Sequence, residues 1–133
     1  MKIIDATLLD KVSAEAKESP RLRKNYNFHQ SLDEKCHRFL NAVEPGTKVE
    51  IHRHPTKDES FVLLRGRVRV NTYNDDGTVI ESVILCPEEG LYGVDIPTSP
   101  RMCGIMWNAW SLGVYSLSVK KGRLCRMKWK GFS

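Results

Sequence analysis

The sequence predicts an all-β domain with one short α-helical extension at its N-terminus, on three observations. From about Arg38 onward, β-branched and aromatic residues dominate short runs separated by turn signals. Only the stretch ATLLDKVSAEAKESP, residues 6–20, has helical spacing. The length of 133 residues fits one domain with a core of its own, and no repeat or low-complexity linker argues for a second. Short strands at this spacing suggest a sandwich or barrel.

The elements follow in order. Leu8, Leu9, Val12 and Ala16 recur at the interval of one helix face, and Pro20 stops the helix. SPRLRKNYNFHQ, residues 19–30, is polar and turn-rich. Ser31 with Glu34 three residues later matches a capping box, which predicts a helical turn over SLDEKC. Strands are then expected at RFLNAV, KVEIHRH, SFVLLRG, RVRVNTY, TVIESVILC, GVDIP, IMWNAW and GVYSLSV. NDDG at 74–77 reads as a hairpin turn, with Asp-Gly favouring positive φ. Arg65, Arg67 and Arg69 alternate onto one face, the solvated one, while Val68 and Val70 turn inward. Residues 1–30 are expected to pack as a helical and extended segment on a barrel formed by 31–133.

Composition narrows the function classes. No run approaches the roughly 18 to 20 apolar residues of a membrane span, and MKIIDATLLDKVSAEAK meets charges before any signal-like apolar stretch develops. A cytoplasmic protein without membrane partners is expected. Cys36, Cys86, Cys103 and Cys125 form no Cys-x-x-Cys pair, which argues against a zinc ribbon and for reduced thiols. The net charge of +5 is concentrated in Arg21, Arg23 and Lys24 and in KKGRLCRMKWKGFS, where six basic residues surround Trp129 and Phe132. No nucleic-acid motif accompanies the tail, so no nucleic-acid partner is expected, whereas a small anionic ligand fits the charge. Trp107 and Trp110 read as core or pocket-mouth residues. A Gly-rich phosphate loop and a Gly-x-Ser-x-Gly elbow are both missing, which argues against nucleophilic serine chemistry.

The stretch KVEIHRHPTKDESFVLLRG carries the chemistry. His52 and His54 are separated by one residue on an expected strand, so both imidazoles point to the same side. Glu59 opens the next strand across a turn containing Pro55, where an antiparallel return brings its carboxylate beside them. Two imidazoles and a carboxylate suit a divalent first-row metal such as Fe, Zn, Ni or Mn and leave positions open for water or substrate.

The spacing Gly46, five residues, His52, one residue, His54, four residues, Glu59, six residues, Gly66 resembles the first signature motif of the cupin superfamily at every position. Within that superfamily, SPRLRKNYNFH leading into LNAVEPGTKVEIHRHPTKDESFVLLRGRV looks like the WbuC-type cupin metalloproteins, small bacterial proteins often associated with O-antigen and other polysaccharide biosynthesis clusters. The resemblance covers roughly residues 18–97. It implies a double-stranded β-helix, the cupin jelly-roll barrel, with a metal inside, and it supplies no reaction. By analogy, two chains can pair through sheet edges as a homodimer, with residues 1–30 crossing to the partner barrel; a monomer stays open.

The chain departs from the family pattern at the second motif. In GVDIPTSPRMCGIMW, alignment on Pro97 puts Met102 where the family has its fourth, metal-ligating histidine. Met102 is a soft thioether acceptable to copper(I), and the neighbouring Cys103 could ligate zinc or iron as a thiolate; strand alternation lets at most one of them enter the barrel unless a bulge intervenes, and the favoured arrangement has Met102 as pocket lining and Cys103 in the core. A 2-His-1-carboxylate site of His52, His54 and Glu59 is one outcome; a barrel with a weakened metal that only binds a ligand is another. In a third, His29 reaches the pocket as a proton carrier or ligand. Arg21, Arg23, Asn25 and Tyr26 could hold an anionic substrate or pin the N-terminal segment to the barrel. The expected function is therefore a metal-binding cupin acting on a small carbohydrate-derived or other anion, with a non-catalytic binding cupin as the alternative. Substrate contacts are assigned to Arg23, Asn25, Tyr26, His29 and Met102.

Overall fold

Asp5 accepts a hydrogen bond from the Leu8 N–H at 2.9 Å and so caps α1 (Ala6–Glu18), as the sequence spacing requires. In this computed structural model, residues 1–47, 59–97, 106–109 and 114–121 are described. Among the described residues, eight strands follow the helix: β1 (Arg23–Asn27), β2 (Cys36–Val43), β3 (Glu59–Leu63), β4 (Val68–Tyr73), β5 (Val79–Leu85), β6 (Gly93–Ile96), β7 (Met106–Ala109) and β8 (Val114–Lys121). One sheet has the order β1-β2-β8-β3-β6 and the other β5-β4-β7, with every pairing antiparallel. Sequence neighbours are therefore split between two layers, with residues distant in the chain paired side by side.

Two apolar clusters hold the layers. Val43, Phe61 and Leu63 from the larger sheet meet Val68, Val70 and Leu85 from the smaller one. On the outer face of the larger sheet, Leu9, Val12 and Ala16 of α1 cover Leu40 and Ala42. Strand β2 is thus buried on both faces, and its two sets of alternating side chains have different neighbours. Val68 and Val70 face inward as expected, while Arg65 pairs with Asp10 of α1 at 2.6 Å and Arg67 pairs with Glu89.

Two expectations need correction. Residues 31–35 form a turn that leads straight into β2 and no helix: Ser31 Oγ accepts from the Asp33 N–H, and Glu34 reaches back to the Gln30 N–H at 3.0 Å. The capping contacts exist locally, but the β-rich run from Cys36 pairs with β8 and prevents helix propagation. The polar stretch around Arg23 also forms a strand. Its pairing with β2 satisfies the backbone, so a polar edge strand needs little apolar content.

Candidate functional site

Strand alternation together with burial defines an inner face on the larger sheet, turned toward the smaller sheet. On β3 that face carries Glu59, Phe61 and Leu63, all buried, while Val62 points out. On β2 it carries His37, Phe39, Asn41 and Val43. On β1 it carries Arg23, Asn25 and Asn27, which pair with Val43, Asn41 and Phe39.

Glu59 is 4% exposed, opens β3 and pairs with Ile96 of β6. A carboxylate in such surroundings requires a partner, because burying an uncompensated charge is expensive. The other assigned ligands, His52 and His54, lie outside the described residues, as do Met102 and Cys103. Among the described residues, no group of three metal-type side chains converges.

His37, which the sequence analysis passed over, lies on the same inner face. Its ring is 1% exposed and Nε2 lies 2.9 Å from the Leu32 carbonyl oxygen, which can only accept, so Nε2 carries the proton. The remaining lone pair is on Nδ1, a buried atom with no hydrogen-bond donor among the described residues. His37 stacks on His29 with ring centroids 4.4 Å apart and planes 9° from parallel. His29 itself is buried, with Nδ1 lying 3.2 Å from the Arg38 N and 3.1 Å from the Arg38 carbonyl oxygen. Alternation of buried residues from 37 to 43 was the sequence signal that could have found His37. Asn41, four residues on, also holds its Oδ1 buried without a donor among the described residues.

The expected anion contacts divide between two faces. Arg23 and Asn25 share the inner face, and the Arg23 guanidinium is pushed down to about 10 by burial and then by the charge of Arg21. Tyr26 instead occupies the opposite face, packed with Phe28 in an edge-to-face contact and against the helix cluster. A cavity of about 480 Å³ opens between the sheets, with Val70, Val83, Val94 and Ile96 as apolar wall and Thr72, Glu81 and Ser82 as polar groups. Ile96 joins this cavity to the Glu59 position through their strand pairing.

The donor chemistry fits a divalent ion. A buried carboxylate and a bare imidazole nitrogen on one inner face are an oxygen and a nitrogen donor of the kind first-row metals take.

Residues 4–85 match the model of a domain of unknown function, DUF6016. The chain belongs to that family. No curated protein matches it. Among solved structures, TT1209 from Thermus thermophilus is similar at a TM-score of 0.60 and 21% identity, over 92% of this chain and 99% of that one. The capsular polysaccharide assembling protein CapF from Staphylococcus aureus is similar at a TM-score of 0.53 and 21% identity, over 77% of this chain and 28% of CapF. The DUF6016 chain thus spans little more than a quarter of CapF. An RmlC-like cupin from Desulfovibrio desulfuricans is also similar, at a TM-score of 0.42 and 12% identity. The likenesses to TT1209 and CapF are likenesses of fold.

Proposed function

We propose that this DUF6016 chain is a metal-binding cupin of the WbuC type, its sheets closing into a jelly-roll barrel, that acts on a small carbohydrate-derived anion. The observation that carries the reading is Glu59: the carboxylate of the motif is buried on the inner face at the first residue of β3. The motif glycines support it. Gly46 and Gly66 have φ of +90° and +92°, so the two ends of the motif need residues that tolerate the left-handed region. The fold likeness to a protein that assembles capsular polysaccharide agrees with a carbohydrate-derived substrate.

His52, His54 and Glu59 would hold the ion, which when bound polarises a carbonyl or activates water. The chain's own groups do the rest. Arg23, with Asn25 beside it, orients the anionic end at the open β1 edge. The valines and Ile96 of the cavity exclude water from the apolar part of the substrate. Met102 in place of the fourth histidine favours a second reading, in which the barrel binds this ligand without turning it over.

Elemental analysis of tag-free protein tests the proposal. Near-stoichiometric metal that is lost in His52→Ala and Glu59→Gln is the expected result. Little metal in the natural sequence together with full loading in Met102→His would overturn the enzyme reading and leave the binding one.

A further inference from the structure

We propose that His37 supplies a further protein donor to this metal centre and stands in for the histidine that Met102 replaces; the inference rests on the metal reading of His52, His54 and Glu59. Three independent features of His37 lead there.

The first is the state of its ring. A metal-ligating histidine typically donates its other ring N–H to a backbone carbonyl or a carboxylate, which fixes the tautomer and makes the ligating nitrogen more basic. His37 has that arrangement: Nε2 donates to the Leu32 carbonyl at 2.9 Å, and the Nδ1 lone pair is buried with no donor among the described residues. A lone pair kept from water in this way is costly unless something occupies it.

The second is register. His37 pairs with Lys120 of β8, and Ser60 of β3 pairs with Val119, so Glu59 falls opposite Lys120 from the other side. His37 and Glu59 are therefore level with each other, two strand spacings or about 9.5 Å apart, both on the inner face. That separation lets an imidazole and a carboxylate share one ion.

The third is orientation. The stack with His29 clamps the ring plane, and Phe39 meets the His29 ring edge-on at 6.3 Å, so the lone pair of His37 is held before any ion arrives. His29 is not the donor. Its Nδ1 is engaged by the Arg38 backbone, and two nearly parallel rings 4.4 Å apart do not converge on a common ion.

The test uses full-length protein and two readouts. The natural sequence, His37→Gln and His52→Ala are titrated with cobalt(II) and analysed for metal content. In parallel, the natural protein labelled with ¹⁵N-histidine and loaded with copper(II) is examined by hyperfine spectroscopy to count bound imidazoles. His37→Gln should bind cobalt at least about tenfold more weakly, and the unsubstituted protein should show three coordinated imidazoles. The spectroscopic count needs no variant, so a count of only two rules out His37 even where His37→Gln fails to fold. If the natural protein binds metal, His52→Ala loses it and only two imidazoles coordinate, His37 is not a ligand and the three-residue site stands. If the natural protein and His52→Ala both take up no ion, the metal reading fails and this inference with it.

Discussion

Replacing Leu40 by Ala tests whether α1 is seated on β2. Leu40 is fully buried on the outer face of the larger sheet, against Leu9, Val12, Ala16 and Ala42. Leu→Ala at such a site removes transfer free energy and leaves a cavity, for a loss of about 3 kcal/mol. At about 2.1 cal/mol/K per residue, 133 residues give an unfolding entropy near 0.28 kcal/mol/K, so Tm should fall by about 10 °C. Val62 is the internal control. It lies on the outer face of the same sheet but beyond the helix, and is 43% exposed, so Val62→Ala should stay within about 0.5 kcal/mol. Thermal unfolding followed by circular dichroism reads both. Equal, small shifts in the two variants would refute the docking of α1 on β2, and with it the explanation of why β2 is apolar on both faces.

Four further outcomes are expected. Gly93→Ala would place a methyl group against the Phe61 carbonyl oxygen and 3.1 Å from the Val62 Cα, so urea denaturation should show a loss of about 1–3 kcal/mol; an unchanged midpoint would mean that β3 and β6 are not this close. Asp5→Ala should cost about 1 kcal/mol and Asp5→Asn much less, and equal losses would show that the cap is not the cause. Gly77→Ala should cost about 1–2 kcal/mol through φ alone, since no atom lies within 4 Å of the added carbon, and a cost near zero would contradict the +85° turn. The charged form of Arg23 is disfavoured in the fold: from about 10 up to the ordinary arginine range the unfolded chain holds more protons, so this group makes stability rise with pH in that window. At neutral pH an anion relieves it, and phosphate at a hundredfold excess over its Kd should stabilise the natural protein by about 2.7 kcal/mol and Arg23→Gln far less; equal gains would remove Arg23 from the anion site.

The β character, the helix at 6–18 and the inward Val68 and Val70 were legible because each depends on a local period that burial enforces. The NDDG turn was legible for a related reason: Gly77 at φ +85° with Gly77 N–H bonded to the Asn74 carbonyl is chemistry that four residues settle alone. Strand β1 was not legible, since RKNYN alternates nothing apolar and becomes a strand only because β2 offers an unpaired edge. Of the candidate residues, the burial of Glu59 was legible, since it follows from the alternation with Phe61 and Leu63. His37 was not, because no motif names it. Its position level with Glu59 depends on β8, some eighty positions away in the chain, lying between β2 and β3.

The double burial of β2 explains how its inner face can carry polar groups at all. Strand pairing to β1 and β8 satisfies its backbone, and α1 covers Leu40 and Ala42 from outside, so the strand is held without help from the inward residues. Valine or leucine at positions 37 and 41 would stabilise such a strand further. The chain instead keeps two buried acceptors there, His37 Nδ1 and Asn41 Oδ1, each at a cost of about 1–3 kcal/mol. A local rule broken beside residues that satisfy it is where function is expected. The cost falls at the level of Glu59 on one side and beside Asn25, two residues along from Arg23, on the other. Those are the two ends a ligand would need: one that meets an ion and one that meets a cation.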